Sequence, residues 1–451
     1  MTRTFDLVVV GSGSAGSTIA TQCRAAGWNV AVVDKRPFGG TCALRGCDPK
    51  KVLVGAAAAL DTARAFDGKG VSPNGLALNW PDLMRFKRTF TDPVSQRRID
   101  ALHSAGIETF QDVARFTGPA QLSVGGVALE ATRAIAIAAG ATPAHLELEG
   151  REHLLTSDDF LELPSLPSSI AFVGGGYVAF EFAHIAARAG AHVTIIHRGE
   201  RPLEQFDADL VKQLVERTRA AGIELKFRAE VRAITAVGRG YRVHFNGAEG
   251  GHIDADCVVH AAGRVPDLDD LQLDVGRVER SREGVRVSEF LQSVSNPKVY
   301  SAGDCAATGR PRLTPVAGYE GRIVAANMLQ GTNTKVDYSP IPSVVFTIPP
   351  LARVGLGEDE ARGQGLRFTT RYKDTSTWYS SRRVAERASA FKLLIEQDSR
   401  RLLGAHLLGP HADETINVFA LAIRTGVTAD RLKQMIWAYP THASDIAYML
   451  P

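Results

Sequence analysis

One pattern occurs twice in this chain, and it leaves few folds open. Leu7 to Val10 is a short β-branched run, as expected of a strand buried on both faces, and Gly11-Ser12-Gly13-Ser14-Ala15-Gly16 follows it directly. An alanine-rich helical stretch continues to about Ala26, Gly27 ends it, and Val30 to Val33 makes a second strand closing at Asp34. About 160 residues later the grammar returns: Ile170 to Val173, then Gly174-Gly175-Gly176-Tyr177-Val178-Ala179, a helix from Phe180 to Ala189, a stop at Gly190 and a strand from Val193 to Ile196. Each copy is a βαβ unit.

In such a unit the first glycine makes the tight turn and the second lets the backbone approach a pyrophosphate. The third, or an alanine there, permits close helix–strand packing, and the helix N-terminus faces the anion. The candidate phosphate-binding residues are therefore Gly11, Gly13, Ser14, Ala15 and Gly16 in the first turn, and Gly174, Gly176, Tyr177 and Val178 in the second. Asp34 lies 18 residues beyond Gly16, and His197 lies 18 beyond Ala179, so the two are equivalent. An aspartate there accepts hydrogen bonds from ribose hydroxyls. The run His197-Arg198-Gly199-Glu200-Arg201 instead offers Arg198 and Arg201 to a 2′-phosphate, which predicts NADPH over NADH at the second site.

The 451 residues are about three times a ~150-residue domain. Lys+Arg 52 against Asp+Glu 49 gives a net charge of +3, too balanced to suggest nucleic acid or an anionic membrane as partner. No apolar run reaches the ~18 residues of a membrane span, and the N-terminal apolar stretch is too short for a signal peptide, so a cytoplasmic protein is expected. Five cysteines in this length exclude a disulfide-stapled secreted scaffold. Ala134 to Ala139 reads as a strand running into Gly140, Val299 to Ala302 as a strand entering Gly303-Asp304, and Ile341 to Ile348 as strand-like. Phe391 to Glu396 and Leu402 to Leu408 read as further strands, and Thr415 to Arg424 as an amphipathic helix. The fold class is thus α/β: two Rossmann-like dinucleotide-binding domains and a C-terminal α+β module.

Cys42 and Cys47 lie five apart in Gly39-Gly40-Thr41-Cys42-Ala43-Leu44-Arg45-Gly46-Cys47-Asp48-Pro49-Lys50. A structural zinc site needs four ligands, and no second close Cys/His pair accompanies this one, so no metal is expected. The alternative is a redox dithiol. This run resembles the active-site signature of the flavin disulfide reductases, the family of glutathione reductase, dihydrolipoamide dehydrogenase, mycothione reductase and mercuric reductase. The resemblance covers almost the whole chain. It implies FAD, tightly bound and one per subunit, in a first domain (1–150) completed by a central part (266–336). It further implies a 151–265 domain for NAD(P)H and a 337–451 interface domain forming a homodimer, with the active site shared between subunits. Asp34, Gly40, Thr41, Gly140, Gly263, Gly303, Asp304, Thr314 and Ala317 would join the cofactor contacts. Cys47 would be the flavin-proximal thiolate and Cys42 the thiol that attacks the acceptor. Lys50 and Glu181 would pair near flavin N5, and Tyr177 would cover the nicotinamide pocket.

The chain departs from the family at Tyr439-Pro440-Thr441-His442-Ala443-Ser444-Asp445. Tyr439 stands where the family's acid–base histidine is expected, and Ser444 stands where its glutamate is. Three readings follow. Tyrosine there resembles mercuric reductase, although the ending Met449-Leu450-Pro451 lacks that enzyme's cysteine pair. Alternatively Thr441 caps a helix, and His442 with Asp445 forms a displaced dyad serving a disulfide. The third is a quinone-type diaphorase that does not need the cysteines. Arg362, Arg367, Arg371, Arg382, Arg383 and Arg387 could serve an anionic substrate, but read more readily as a solvated basic face. The expected activity is relay of electrons from NADPH, through FAD and the Cys42–Cys47 disulfide, to a small-molecule acceptor.

Overall fold

The computed structural model describes residues 2–247 and 250–451, and the chain divides into two compact units. The first comprises residues 1–50, 85–145 and 263–337; the second comprises 51–84, 146–262 and 338–451.

A seven-stranded sheet forms the first unit. Its parallel part runs in the order Glu108–Gln111, Val30–Asp34, Thr2–Val10, Val127–Ile137, Val299–Ser301. Leu7, Val8 and Val9 are fully buried, as a central parallel strand covered on both faces requires. The Val127–Ile137 strand begins earlier than the sequence suggests. Its first half closes an antiparallel hairpin with Gln121–Val124, and its last residues pair with Val299–Ser301. The strands Thr2–Val10, Val30–Asp34, Val127–Ile137 and Val299–Ser301 end at or just before Gly11, Asp34, Gly140 and Gly303. The expected cofactor residues therefore gather at the carboxyl ends of parallel strands, where α/β sheets bind ligands.

The second unit carries a parallel sheet in the order Ile223–Lys226, His192–Ile196, Ser169–Val173, Cys257–His260, Leu154–Leu155, beside a three-stranded antiparallel meander. Its other large sheet is antiparallel, in the order Ser343–Val345, Leu351–Gly355, Leu402–Leu408, Ala390–Glu396, Phe368–Asp374, and the helix Ala412–Thr425 packs on it through Ile416 and Phe419. The run read as a strand over Ile341–Ile348 keeps strand geometry only at Ser343–Val345. Residues 51–84, read from sequence as part of the first domain, group with this unit. Leu53, Trp80, Leu83 and Met84 share a core with Phe160, Phe172 and Phe180. No helix among the described residues is long and apolar enough to cross a membrane.

A buried charge network ties the sheets of the second unit. Asp61 accepts from Arg188 Nε at 3.0 Å and from Arg217 at 2.7 Å, and Arg217 also lies 3.4 Å from Glu386. Removing the shared carboxylate strands a buried guanidinium. Asp61→Ala is expected to lower stability by about 3 kcal/mol or more, read from the urea midpoint; a loss below about 1 kcal/mol would show that Asp61 does not hold the pair.

Candidate functional site

In the first unit the glycine turn is a cradle that side chains would fill. A Cβ on Gly11, whose φ is +105°, would lie 2.2 Å from the Ala138 carbonyl oxygen, and one on Gly16 would lie 1.9 Å from that of Gly11. The helix Ser14–Ala25 begins at Gly13 with no side-chain cap and no acidic residue in its first turn. Its leading amides are thus left for an anion. Asp34 is tied into the turn: one carboxylate oxygen accepts from the Ser12 amide at 2.8 Å and from the Ser12 hydroxyl at 2.6 Å. The other accepts from the Arg36 amide at 3.0 Å. Ser12, in an unspecified position of the motif, escaped the sequence reading; its Oγ also accepts from the Gly39 amide at 3.0 Å. Gly40 and Gly13 approach so closely that a Cβ on Gly40 would sit 2.4 Å from the Gly13 Cα.

Cys42 lies on the helix Gly40–Arg45, and Cys47 opens the helix Cys47–Ala65 after Gly46. Both are thiols; Cys42 is half-buried and Cys47 exposed. Hydrogen bonding to Cys47, and then burial, push the Cys42 thiol up. Cys47 Sγ lies 3.7 Å from Thr314 Oγ1 and heads a long helix. Thr314 is the first residue of the helix Thr314–Gln330, and Ala317 follows one turn later. A Cβ on Gly303 would meet that of Ala317 at 3.2 Å. The Gly303 amide donates to the buried Glu320 at 2.6 Å, a contact no motif announced. Burial raises the Asp304 carboxyl against the lowering charges of Arg264 and Arg312. Lys50 is buried within this unit. Gly140 and Gly263 adopt φ of +74° and +111°, open to glycine at little cost. Cys23, Cys257 and Cys305 are all buried, and burial raises the first to about 12 and the other two to about 11.

In the second unit Gly174, with φ +128°, lies against Ala261, where a Cβ would come within 2.2 Å of the carbonyl oxygen. The helix Tyr177–Arg188 starts at Gly176, again uncapped by a side chain and without an acid in its first turn. Tyr177 is exposed, and Val178 is half-buried behind it. His197 packs on Gly175 and donates from Nε2 to the Arg201 carbonyl at 3.2 Å; burial lowers its pKa. Arg201 spends its guanidinium on the carbonyls of Phe206 at 2.9 Å and Glu204 at 3.0 Å. Arg198 is exposed and lines an open surface pocket with Arg228, Glu230 and Asn246. Glu181, 2% exposed, accepts the Phe346 amide at 2.8 Å. Its cationic neighbour within this unit is Lys51, at 3.7 Å, whose ammonium stands 3.2 Å from the Phe346 ring centroid. Lys51 was passed over because the motif directs attention to Lys50.

Thr441 does cap a helix, a 3₁₀ turn over His442–Asp445: its hydroxyl accepts the Ser444 amide at 3.1 Å, and Ser444 Oγ accepts the Thr441 amide at 3.3 Å. The displaced dyad does not form. Asp445 accepts from the Ser380 hydroxyl, while the His442 ring turns to His411, with centroids 4.8 Å apart. His442 Nε2 is buried without a hydrogen-bond partner, and Tyr439 is 74% exposed. Arg362 pairs with Glu358 and Asp359, Arg367 with Asp398, and Arg371 donates to the Tyr448 carbonyl; Arg382, Arg383 and Arg387 are exposed.

Burial, then the charges of His411 and Arg383, lower His442 from 6.5 to about 4. An imidazole that protonates more readily unfolded than folded costs stability as pH falls through that interval, and nothing above it. The stability difference between wild type and His442→Gln should be flat above about pH 6.5 and move in the variant's favour toward pH 4. Chemical denaturation across pH tests this; a difference that stays constant would show that the imidazole titrates normally.

The chain resembles known proteins over nearly its whole length. Residues 5–321 match the family described as pyridine nucleotide-disulphide oxidoreductase, and residues 341–450 match the dimerisation domain of that family. The chain is 33% identical over 452 residues to a glutathione reductase of Burkholderia cepacia, covering 98% of this chain and 97% of that protein. It is 51% identical over 180 residues, 40% of this chain, to the whole of an uncharacterized 19.7 kDa protein in a mercuric resistance operon of Staphylococcus aureus. The HOCl-induced flavoprotein disulfide reductase RclA from Escherichia coli superposes with a TM-score of 0.87 at 25% identity, covering 98% of each chain. These matches support FAD binding and a homodimer, and they agree with the uncapped glycine cradle and the paired thiols of the first unit. The chain is an oxidoreductase acting on sulfur groups and belongs to the pyridine nucleotide-disulphide oxidoreductases.

Proposed function

We propose that this flavoenzyme uses NADPH to reduce a low-molecular-weight disulfide through Cys42 and Cys47. The observation that carries the reading is the thiol pair itself. Cys42 is hydrogen-bonded to Cys47 and raised by it, while Cys47 sits at a helix start beside Thr314. Such a pair holds one proton between two sulfurs, one kept as thiolate and one as attacking group.

Gly11, Gly13, Ser14, Ala15, Gly16, Asp34, Gly40, Thr41, Gly140, Gly303, Asp304 and Ala317 would hold the FAD, with Lys50 nearer its reactive ring. Bound there, FAD would supply two-electron chemistry between the nicotinamide and the cysteine disulfide. The chain's own residues do the rest. Cys42 attacks one sulfur of the acceptor, forming a mixed disulfide and releasing the first thiolate. Cys47 then attacks Cys42 Sγ, releasing the second thiolate and closing the Cys42–Cys47 bond. Two protons complete the two product thiols. His442, neutral with an unpartnered ring nitrogen, is the proposed proton carrier in place of the family histidine, and the exposed Tyr439 hydroxyl lies in the same loop. A cycling dithiol fed by NADPH belongs in the reducing cytoplasm.

For the nucleotide, the exposed Arg198 is the residue proposed to meet a 2′-phosphate, because Arg201 is committed to loop carbonyls. Arg198→Ala should raise KM for NADPH about tenfold, the scale of one lost charge-assisted contact, and leave KM for NADH within twofold. Equal effects on both nucleotides would remove Arg198 from phosphate recognition.

The relation to a mercuric resistance operon protein favours a second reading, in which the same pair reduces a soft metal ion. A panel of NADPH oxidation with oxidised glutathione, other small disulfides, lipoamide, quinones, Hg(II) and Cu(II) separates the possibilities. The disulfide reading expects turnover of a disulfide that Cys42→Ser abolishes while flavin reduction by NADPH persists. Quinone turnover that survives Cys42→Ser, with no disulfide turnover in wild type, would overturn it.

A further inference from the structure

Three polar side chains line one buried face of the helix Tyr177–Arg188, while Phe180, Ala183 and Ala186 pack it into the apolar core. Glu181, His184 and Arg188 are 2%, 0% and 4% exposed, and their spacing of three and four residues makes them neighbours along the helix. All three reach the same short turn, which links the strands Ser343–Val345 and Leu351–Gly355. The ladder of those strands ends at the pair Val345–Leu351, so the turn's own backbone groups must bond elsewhere. Glu181 accepts the Phe346 amide at 2.8 Å, His184 Nδ1 accepts the Ile348 amide at 3.0 Å, and Arg188 donates to the Ile348 carbonyl at 3.3 Å.

The His184 ring is fixed on both sides. With Nδ1 accepting, the neutral imidazole carries its proton on Nε2, which donates to Thr218 Oγ1 at 3.0 Å. That hydroxyl donates in turn to the Leu214 carbonyl at 2.7 Å, inside the helix Ala208–Ala220. Burial, and then the charges of Arg188 and Arg217, hold the imidazole well below its usual pKa, which keeps Nδ1 an acceptor. At the end of the row Arg188 is itself held by Asp61. Sliding the helix along its axis would break its bonds to the turn together, and each break leaves a buried polar atom unpaired. The helix therefore has one place along the turn, and the uncapped amides that open it after Gly176 take their position from that place.

We propose that His184 is a positioning residue for the nicotinamide nucleotide: its bond to the Ile348 amide, flanked by those of Glu181 and Arg188, fixes the helix whose first amides hold the pyrophosphate. The inference rests on the reading of the second glycine turn as a nucleotide site, and it holds whichever of NADPH or NADH is preferred. Arg198 would then discriminate between the two nucleotides, whereas His184 supports the part they share.

Calorimetric titration of the oxidised holoenzyme with NADP+ and with NAD+ reads the site without turnover. His184→Leu removes both bonds of the ring, His184→Asn keeps an acceptor where Nδ1 stands, and His184→Gln keeps a donor where Nε2 stands. His184→Leu and His184→Gln should weaken both nucleotides by the same factor, about fivefold, the scale of one lost hydrogen bond, with His184→Asn within about twofold of wild type. Hydrogen exchange over residues 346–348, followed by mass spectrometry, should quicken in His184→Leu and His184→Gln and not in His184→Asn. Should His184→Leu not fold, the contrast of His184→Asn with His184→Gln decides. Leu432→Ala, a truncation in the core of the C-terminal module, separates positioning from general loss of stability. It should lower the urea midpoint and leave both dissociation constants unchanged. Equal weakening in Leu432→Ala overturns the proposal, as does a His184→Gln that binds like His184→Asn. Wild type that binds neither nucleotide defeats the nucleotide reading and the inference with it; wild-type binding that His184→Leu leaves unchanged defeats the inference alone.

Discussion

Ser12 is the joint on which the first unit turns. Fully buried, it gives its amide and its hydroxyl to one oxygen of Asp34 and accepts the Gly39 amide on its own oxygen. The glycine turn, the end of the neighbouring strand and the start of the redox loop are thereby one hydrogen-bonded body. The close approach of Gly40 to Gly13 depends on that join, since both backbones must be held before they can nearly touch. A buried hydroxyl satisfied as donor and acceptor is rigid because any displacement leaves polar atoms unpaired. The cysteines inherit this rigidity: Cys42 lies two residues beyond Gly40, at the start of the helix that this body positions.

Much of this was legible before any coordinates. Both βαβ units follow from β-branched runs, glycine spacing and alanine-rich helices, because a two-face-buried strand and a glycine cradle each demand particular residue types. The antiparallel module was visible in Ala390–Glu396 and Leu402–Leu408, whose apolar runs coincide with the observed strands to within one residue. The parts that escaped depend on partners far away in sequence. Asp445 looked available to His442 three residues away, yet its carboxylate belongs to Ser380, 65 residues distant. Residues 51–84 carry no motif, and only the core they share with Phe160 and Phe180 shows which unit claims them. Glu320 sits in an apolar helix and reads as a surface residue until the Gly303 amide is seen to need it.

Sites in the two units meet opposite electrostatic demands with similar backbones. Both glycine turns leave helix amides uncapped, so both favour an anion at the same place. The strand ends then diverge, one closing on a carboxylate and the other on an imidazole with an exposed arginine beyond it. Such divergence changes the charge offered beside the turn without altering the turn itself. A duplicated unit can thus be respecialised at its rim while its turn geometry stays under the same steric limits.

The burial of Cys23, Cys257 and Cys305 has a practical meaning for anyone handling the enzyme. Each is sealed in a core and raised to about 11 or 12, so none is an appreciable thiolate near neutral pH. A thiol reagent applied to folded protein therefore reports on Cys42 and Cys47 alone, and the label count becomes a direct gauge of oxidation state. The same seclusion confines peroxide damage to the working pair, where turnover itself can undo the first stages of oxidation.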